Sequence, residues 1–468
     1  MTTSIFGEAY QSWINNLYET IGPVAVVLLI MSIALVGGFG ISRICKAFKI
    51  PYVTGYIILG ILLGPSLLGV IPSYMLTGFV GDASINQEVV RIGFAGMSFV
   101  GDICMGFIAY SIGKFFKWSN IKETGKKAAI VGFLTCFCVG IIVGFVSYLV
   151  YAVIFKVPGL GLTPAFILGA VAMAVSPTAL ASIIRQYRAR GSYVKNLFQV
   201  LIICDIAAIL VFTVVIGVEY GLLGSGSTFD IGSLFVSAGI PLLHTVVVCG
   251  IAIFLGWLLS LLNNYRRTND SRIILVIAFN AIIVLLSSLT KITPLLPCMA
   301  FGMFYYNFAK SESLFLQLEE FLPPILCLFF VVSGAKLDFS SFNNISVLVI
   351  AILFAVCRTG GHFVGINTFG RLVKYDKTSV KYLPLSLMCM TSVAVGLMNL
   401  ATNVLAGTSS MTMVNYCYAI VLTSAVILEI IGPTVGKIAL IKTNSVDPAT
   451  LIPSVDPKKA KSVEMTNM

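Results

Sequence analysis

Between residues 22 and 436 the chain alternates long apolar stretches with short clusters of charged and turn-forming residues. Thirteen stretches can be marked: 22–43, 50–72, 90–113, 128–155, 163–185, 197–222, 233–262, 272–290, 292–309, 320–337, 343–370, 382–407 and 413–436. About 20 apolar residues coiled as a helix match the thickness of a bilayer's hydrocarbon core. Inside lipid every backbone N–H and C=O must be satisfied by protein, which leaves only helices or closed barrels, and runs this long read as helices. The expected fold class is an all-α polytopic membrane protein of about 13 transmembrane helices. The ninth and tenth spans are interrupted by Pro294, Pro297, Pro323 and Pro324. Composition agrees: 58% of residues are hydrophobic and 10% charged, against about 25% charged in soluble proteins.

The net charge of +11 is sorted by position. Loops after odd-numbered spans carry 25 of the 30 Lys and Arg residues, from Arg43, Lys46 and Lys49 to Lys458, Lys459 and Lys461. The other side holds Arg91, Lys156, Lys291 and Lys336, and Arg358 lies within a span. Basic loops stay cytoplasmic, so the N-terminus is expected outside and the C-terminus inside the cell membrane. The charge is thus a topology signal and gives no reason to expect a nucleic-acid partner. Residues 1–21 carry no Lys or Arg and no cleavage-site pattern after a short apolar core, so they do not read as a signal peptide. Tyr10, Trp13 and Tyr18 suit a short interfacial segment. Residues 437–468 read as a polar cytoplasmic tail. The eleven cysteines fall mostly in apolar spans, as small hydrophobes rather than disulfide or zinc partners.

Ionisable groups inside lipid cost several kcal/mol, by translocon scales about 2.5–3.5 each, and by default mark functional sites. Asp205 sits mid-span in LIICDIAAIL, beside Cys204. Asp102 and Glu429 also lie well inside spans, and Glu219 nearer an end. Arg358, in AVCRTGGHF, reads as a charge-balancing, structural residue that also tunes the site. His362 and His244 read as neutral hydrogen-bonding groups.

Halfway along the fifth span, AVSPTA places Pro177 between Ser176 and Thr178. Proline removes a helix hydrogen bond and clashes with the preceding turn. Irregular backbone at membrane depth is tolerated where it is buried in protein or lines a cavity. The carbonyls freed around Pro177, with Ser176 and Thr178 oxygens and, one span later, the Asp205 carboxylate and its neighbour Cys204, form a candidate alkali-cation and proton site. A second weak stretch, TSVAVGLMN (391–399), brings Thr391, Ser392 and Gly396 to the middle of the twelfth span. Spans five and twelve are seven apart, as are four and eleven, and six and thirteen. An odd offset makes the two triplets run oppositely, the arrangement of inverted-repeat transporters with a midplane site.

The second span, IPYVTGYIILGILLGPSLLGVIP, resembles the signature of the monovalent cation:proton antiporter-2 family in Pro51, Gly55–Tyr56, Gly60 and Gly64–Pro65. AVAMAVSPTALASIIRQ resembles that family's broken-helix segment, LIICDIAAILVFTV its cation-binding segment and PPILCLFFVVSGAKLDF a later element, all in the family's order. The resemblance implies a sodium/proton or potassium efflux antiporter and a homodimer. It also implies a scaffold formed by spans 22–113 and 233–337 and a mobile core formed by 128–222 and 343–436. Asp205 matches the family's cation- and proton-binding aspartate, and Arg358 its basic residue on the eleventh span. The pair Cys204–Asp205 departs from the Asp-Asp, Asn-Asp and Gln-Asp pairs of the known subtypes.

The expected function is alternating-access exchange of a monovalent cation, Na+ before K+, for protons, with no enzyme activity and no cofactor. One titrating acid implies electroneutral exchange unless Asp102 or Glu429 also titrates. The rivals are a gated cation channel and a sodium-coupled symporter of an organic anion. Choice among Na+, K+ and Li+ depends on cavity geometry, which sequence does not reveal.

Overall fold

The computed structural model describes residues 13, 16, 20–65, 67–72, 75–76, 87–150, 162–224, 239–264, 269–290, 292–309, 313–336, 345–390, 392–405 and 411–446. The expected interfacial N-terminus lies almost wholly outside them, as do residues 447–468 of the expected cytoplasmic tail and Thr391, while residues 437–442 of that tail continue the last helix.

The described architecture is helical throughout. In chain order the helices are α1 (Pro23–Ala47), α2 (Tyr52–Leu63), α3 (Gln87–Ile112), α4 (Trp118–Leu149), α5 (Leu162–Ala172), α6 (Pro177–Gln186), α7 (Ser192–Gly224) and α8 (Ile240–Asn264). They continue as α9 (Asn269–Leu289), α10 (Leu295–Ala309), α11 (Ser313–Ala335), α12 (Ile345–Leu372), α13 (Lys377–Ser386), α14 (Ser392–Val404) and α15 (Met411–Lys442). Among the described residues, ten stretches are long and apolar enough to cross a membrane, one being the broken span Leu162–Gln186. The other expected spans correspond to the shorter helices α2 and α10 and to the pair α13–α14.

Three expectations need correcting in detail. The second span is helical only over Tyr52–Leu63, because Gly64–Pro65 ends it. In the fifth span Pro177 is not a kink inside a helix: it is the first residue of α6, and the irregular backbone precedes it at residues 173–176. Proline suits that position because the first helical N–H has no intrahelical partner to lose. In the twelfth span the described break lies at residues 387–390, just ahead of the stretch expected to be weak. Gly396 sits within α14, where a Cβ would come within 2.9 Å of Thr293. Its small size serves close packing there, not a break.

The basic loops have a shared local chemistry. Four helices end on a residue at positive φ: α1 at Lys49 (57°), α6 at Arg188 (45°), α12 at Lys374 (53°) and α15 at Asn444 (51°). At each, the following N–H reaches back five residues, as in Ile50 N–H to Cys45 O (2.9 Å) and Ala189 N–H to Ile184 O (2.7 Å). This closure satisfies carbonyls a helix end would otherwise leave open, and nearby cations suit the negative end of the helix dipole.

Packing divides the helices. α4 packs extensively on α12, α5 and α7, and α15 on α12 and α13; separately, α11 packs on α2 and α3, and α10 on α8 and α3. Fewer contacts join the sets, chiefly those of α15 and α6 with α2 and of α6 with α3. The α2–α11 seam is made of glycines: a Cβ on Gly60 would strike the Val331 carbonyl and come within 2.9 Å of Ala335 N, and one on Gly334 would strike the Ile57 carbonyl. Small residues let two backbones meet this way.

Candidate functional site

The two breaks, 173–176 and 387–390, meet in the interior. Their extended backbones touch directly, Ser176 N–H donating to Cys389 O at 3.0 Å. Four helix ends therefore converge here: the C-terminal ends of α5 and α13, and the N-terminal ends of α6 and α14. In a dry interior such ends are costly, because their carbonyls and N–H groups lack intrahelical partners and carry partial charge.

Three buried charges answer that demand. Arg358, on α12 and fully buried, spreads its guanidinium over three carbonyls. Nε donates to Ala172 O at 3.0 Å, Nη2 to Ala174 O at 2.6 Å and Nη1 to Met388 O at 2.8 Å. It thus places a cation at the negative ends of both interrupted helices. On the other side, Val175 N–H donates to Asp205 Oδ1 at 3.1 Å, and Met390 N–H to Glu429 Oε2 at 3.3 Å. Val175 and Met390 occupy equivalent places, each two residues before the first residue of the second half-helix, Pro177 and Ser392. Each break is therefore closed by one carboxylate from the span that follows it.

Asp205 is only 1% exposed. Its Oδ1 is engaged by Val175, but Oδ2 is buried without a hydrogen-bond partner among the described residues. A buried acceptor left open carries a desolvation cost of about 1–3 kcal/mol, more when charged, until a cation or proton meets it. Ser176, at the end of the 173–176 break, and Thr178, in the first turn of α6, are buried with their hydroxyl oxygens 3.1 Å apart. Carboxylate, hydroxyl and carbonyl oxygens are the hard donors an alkali cation takes in place of water. A crevice lined by Thr178 and Glu429 on one side and by Ile57, Phe329, Phe330, Ser333 and Gly334 on the other has no room for water. The acid bordering this crevice is Glu429, while Asp205, almost wholly buried, is sealed from solvent in this conformation.

The remaining candidates divide. Arg358 and Glu429 join the crossing. Cys204 does not reach the break: its thiol donates to Gly132 O on α4 at 3.8 Å, and Cys136, its neighbour there, contacts Met173 O at 3.9 Å. Asp102 lies on α3, away from the crossing and within electrostatic range of Lys336 at the end of α11. Ser392 opens α14, and Thr391 lies outside the described residues. His362 is fully buried one turn beyond Arg358, its Nδ1 2.9 Å from the Arg358 carbonyl. The sequence did not single out Cys389, Met388 or Val175, which contribute backbone groups and so leave no side-chain signal.

A family model described as "Sodium/hydrogen exchanger, transmembrane" matches residues 30–442. The chain is 24% identical over 363 residues to the high-affinity Na(+)/H(+) antiporter NhaS3 of Synechocystis sp., covering 70% of this chain and 74% of that protein. Among solved structures it resembles the sodium proton antiporter MjNhaP1 from Methanocaldococcus jannaschii at pH 8, with a TM-score of 0.63 and 18% identity over 90% of this chain and 99% of that one. An electron-microscopy map of the same antiporter matches with a TM-score of 0.63 and 19% identity, over 90% of this chain and 98% of that one.

Proposed function

The chain belongs to the sodium/hydrogen exchanger family, a family of multi-pass membrane transporters rather than enzymes, and from that premise we propose that it exchanges Na+ for protons at Asp205. The observation that carries the residue assignment is the open Asp205 Oδ2, buried beside a broken helix. That oxygen takes either a proton or the cation. Ser176, Thr178 and the backbone carbonyls freed ahead of Pro177 complete the cation's oxygen shell. Binding of one excludes the other, and this competition couples the two fluxes.

The sealed site has to open alternately to each face. The helix set α4–α7 and α12–α15 acts as the mobile core, and α1–α3 with α8–α11 as a scaffold that also forms a homodimer. The fixed Arg358 clasp keeps the crossed breaks intact while the core rocks. Neutralising Asp205, by proton or cation, lowers the cost of carrying it through the apolar interior. With Asp205 as the one titrating acid, one cation exchanges for one proton and transport is electroneutral. The protein sits in the cell membrane with its N-terminus outside and its C-terminus in the cytoplasm, as its basic loops favour. The four motifs at residues 50–72, 170–186, 201–214 and 323–339 favour the antiporter-2 branch within the family.

The test is proton flux in proteoliposomes against Na+, K+ and Li+ gradients, with the membrane potential free and then clamped. Coupled flux insensitive to the clamp is expected. Flux that follows potential would refute electroneutrality, and current without proton coupling would favour a channel.

A further inference from the structure

Between the two helix sets lies a second feature with no part in the ion site. A cavity of about 530 Å³ is lined by Leu35 and Phe39 of α1, Tyr52 and Tyr56 of α2, Pro324 of α11 and Arg185 of α6, among others. That volume falls in the range of small-molecule sites, about 300–1,000 Å³. Its mouth is apolar and outward-facing: Phe39 is 63% exposed, on a helix long and apolar enough to border lipid.

Several polar groups of the wall already have partners. Ser42 Oγ donates to Phe39 O and Ser182 Oγ to Thr178 O, both at 2.8 Å, and Gln186 Oε1 accepts from Tyr52 N–H at 2.9 Å. Arg185 differs from these. Its Nη2 is buried with no hydrogen-bond partner among the described residues. The acid within its electrostatic range, Glu319, is already paired with Lys114. A guanidinium in an apolar, half-enclosed space, whose one acid in range is already paired elsewhere, is costly to keep. Its fork of donors matches a phosphate or carboxylate.

We propose that this cavity binds an anionic amphiphile, a phospholipid whose headgroup phosphate pairs with Arg185 while an acyl chain lies along Leu35 and Phe39. The site bridges α6 to α1, α2 and α11. Thr178 and Arg185 stand seven residues apart on α6, about 10 Å along a helix. An occupant therefore ties the half-helix that carries the cation-site hydroxyls to the opposing helix set, and slows exchange. This consequence for exchange rests on the proposed transport function; the binding itself does not.

Native mass spectrometry of the full-length chain in neutral detergent, titrated with phosphatidylglycerol or phosphatidylcholine, reads binding without transport. The wild type is expected to retain phosphatidylglycerol preferentially. Arg185→Gln should weaken that retention about tenfold, or about 1.4 kcal/mol, and Arg185→Lys should largely keep it. Leu35→Trp, which narrows the cavity but leaves the cation, should also reduce retention and serves if Arg185→Gln fails to fold. Equal retention of both lipids, or an Arg185→Gln variant as selective as the wild type, overturns the site. Displacement of the lipid by equimolar inorganic phosphate would show an ion site with no role for the chain, and overturns the amphiphile. In phosphatidylcholine vesicles, added phosphatidylglycerol should slow exchange by the wild type but not by Arg185→Gln; equal slowing of both overturns the regulatory step. A wild type that binds the lipid but exchanges nothing in either vesicle refutes the transport reading and leaves the lipid site standing.

Discussion

Replacing Arg358 by Met keeps an unbranched, flexible stem but removes the guanidinium and its five donors. Three buried carbonyls, of Ala172, Ala174 and Met388, would lose their partners at once. Each buried group left unsatisfied costs about 1–3 kcal/mol, so the sum is about 3–9 kcal/mol. The three share one side chain and will not add fully. Even the low end is a large part of an ordinary stability of about 5–15 kcal/mol. Thermal unfolding in detergent should therefore show a strongly lowered midpoint for Arg358→Met. Arg358→Lys keeps the cation at the two helix ends but presents its donors from a single atom, which cannot serve three carbonyls drawn from two breaks. It should fall between. An Arg358→Met protein that melts with the wild type would refute the clasp, and a Lys variant no better than Met would show that charge at the helix ends contributes nothing.

Gly60→Ala should destabilise by about 1–3 kcal/mol, because the new methyl meets the Val331 carbonyl and Ala335 N across the α2–α11 seam; the same melting assay checks it, and an unchanged midpoint would mean the seam yields freely. Cys204→Ser should fold and exchange normally, its hydroxyl replacing the thiol at Gly132 O, whereas Cys204→Asp should lower the melting midpoint by turning a carboxylate toward that carbonyl. If Cys204→Asp is instead stable and makes exchange sensitive to membrane potential, the thiol's placement away from the ion is wrong. Glu429→Gln retains an amide oxygen to accept from Met390 N–H, so it should fold and still exchange electroneutrally; a changed charge stoichiometry in the clamped-potential assay would make Glu429 a second titrating group.

The helical fold was legible because lipid leaves the backbone few options, and each apolar stretch in the sequence answers to a helix or a broken pair. Less legible were the places where helices stop. Pro177 announced a break yet proved to start the second half-helix, since proline fits a first turn better than a middle. At the twelfth span the sequence offered hydroxyls and Gly396 as weak points, but the chain opens ahead of them, where Leu387 to Met390 carry nothing that marks a break. That opening depends on tertiary partners, Arg358 and Glu429, which arrive from spans eleven and thirteen. Sequence likewise identified Asp205, Arg358 and Glu429 as charges in lipid without showing that Asp205 and Glu429 do matching work at two equivalent breaks. Cys204 was the misleading neighbour: adjacent in sequence to Asp205, it projects about one hundred degrees away around the helix and faces α4.

The central claim is that one carboxylate, Asp205, holds the proton and the Na+ in turn. Asp205→Asn tests it most directly, because the amide keeps an oxygen for Val175 N–H and so preserves the break while removing the charge. The measurement is Na+-driven proton flux in proteoliposomes, with wild type and variant matched for folded protein by thermal unfolding. The wild type should exchange, and the variant should fold yet show no flux above protein-free vesicles. Sustained Na+-driven proton flux through the folded Asp205→Asn protein would contradict the account.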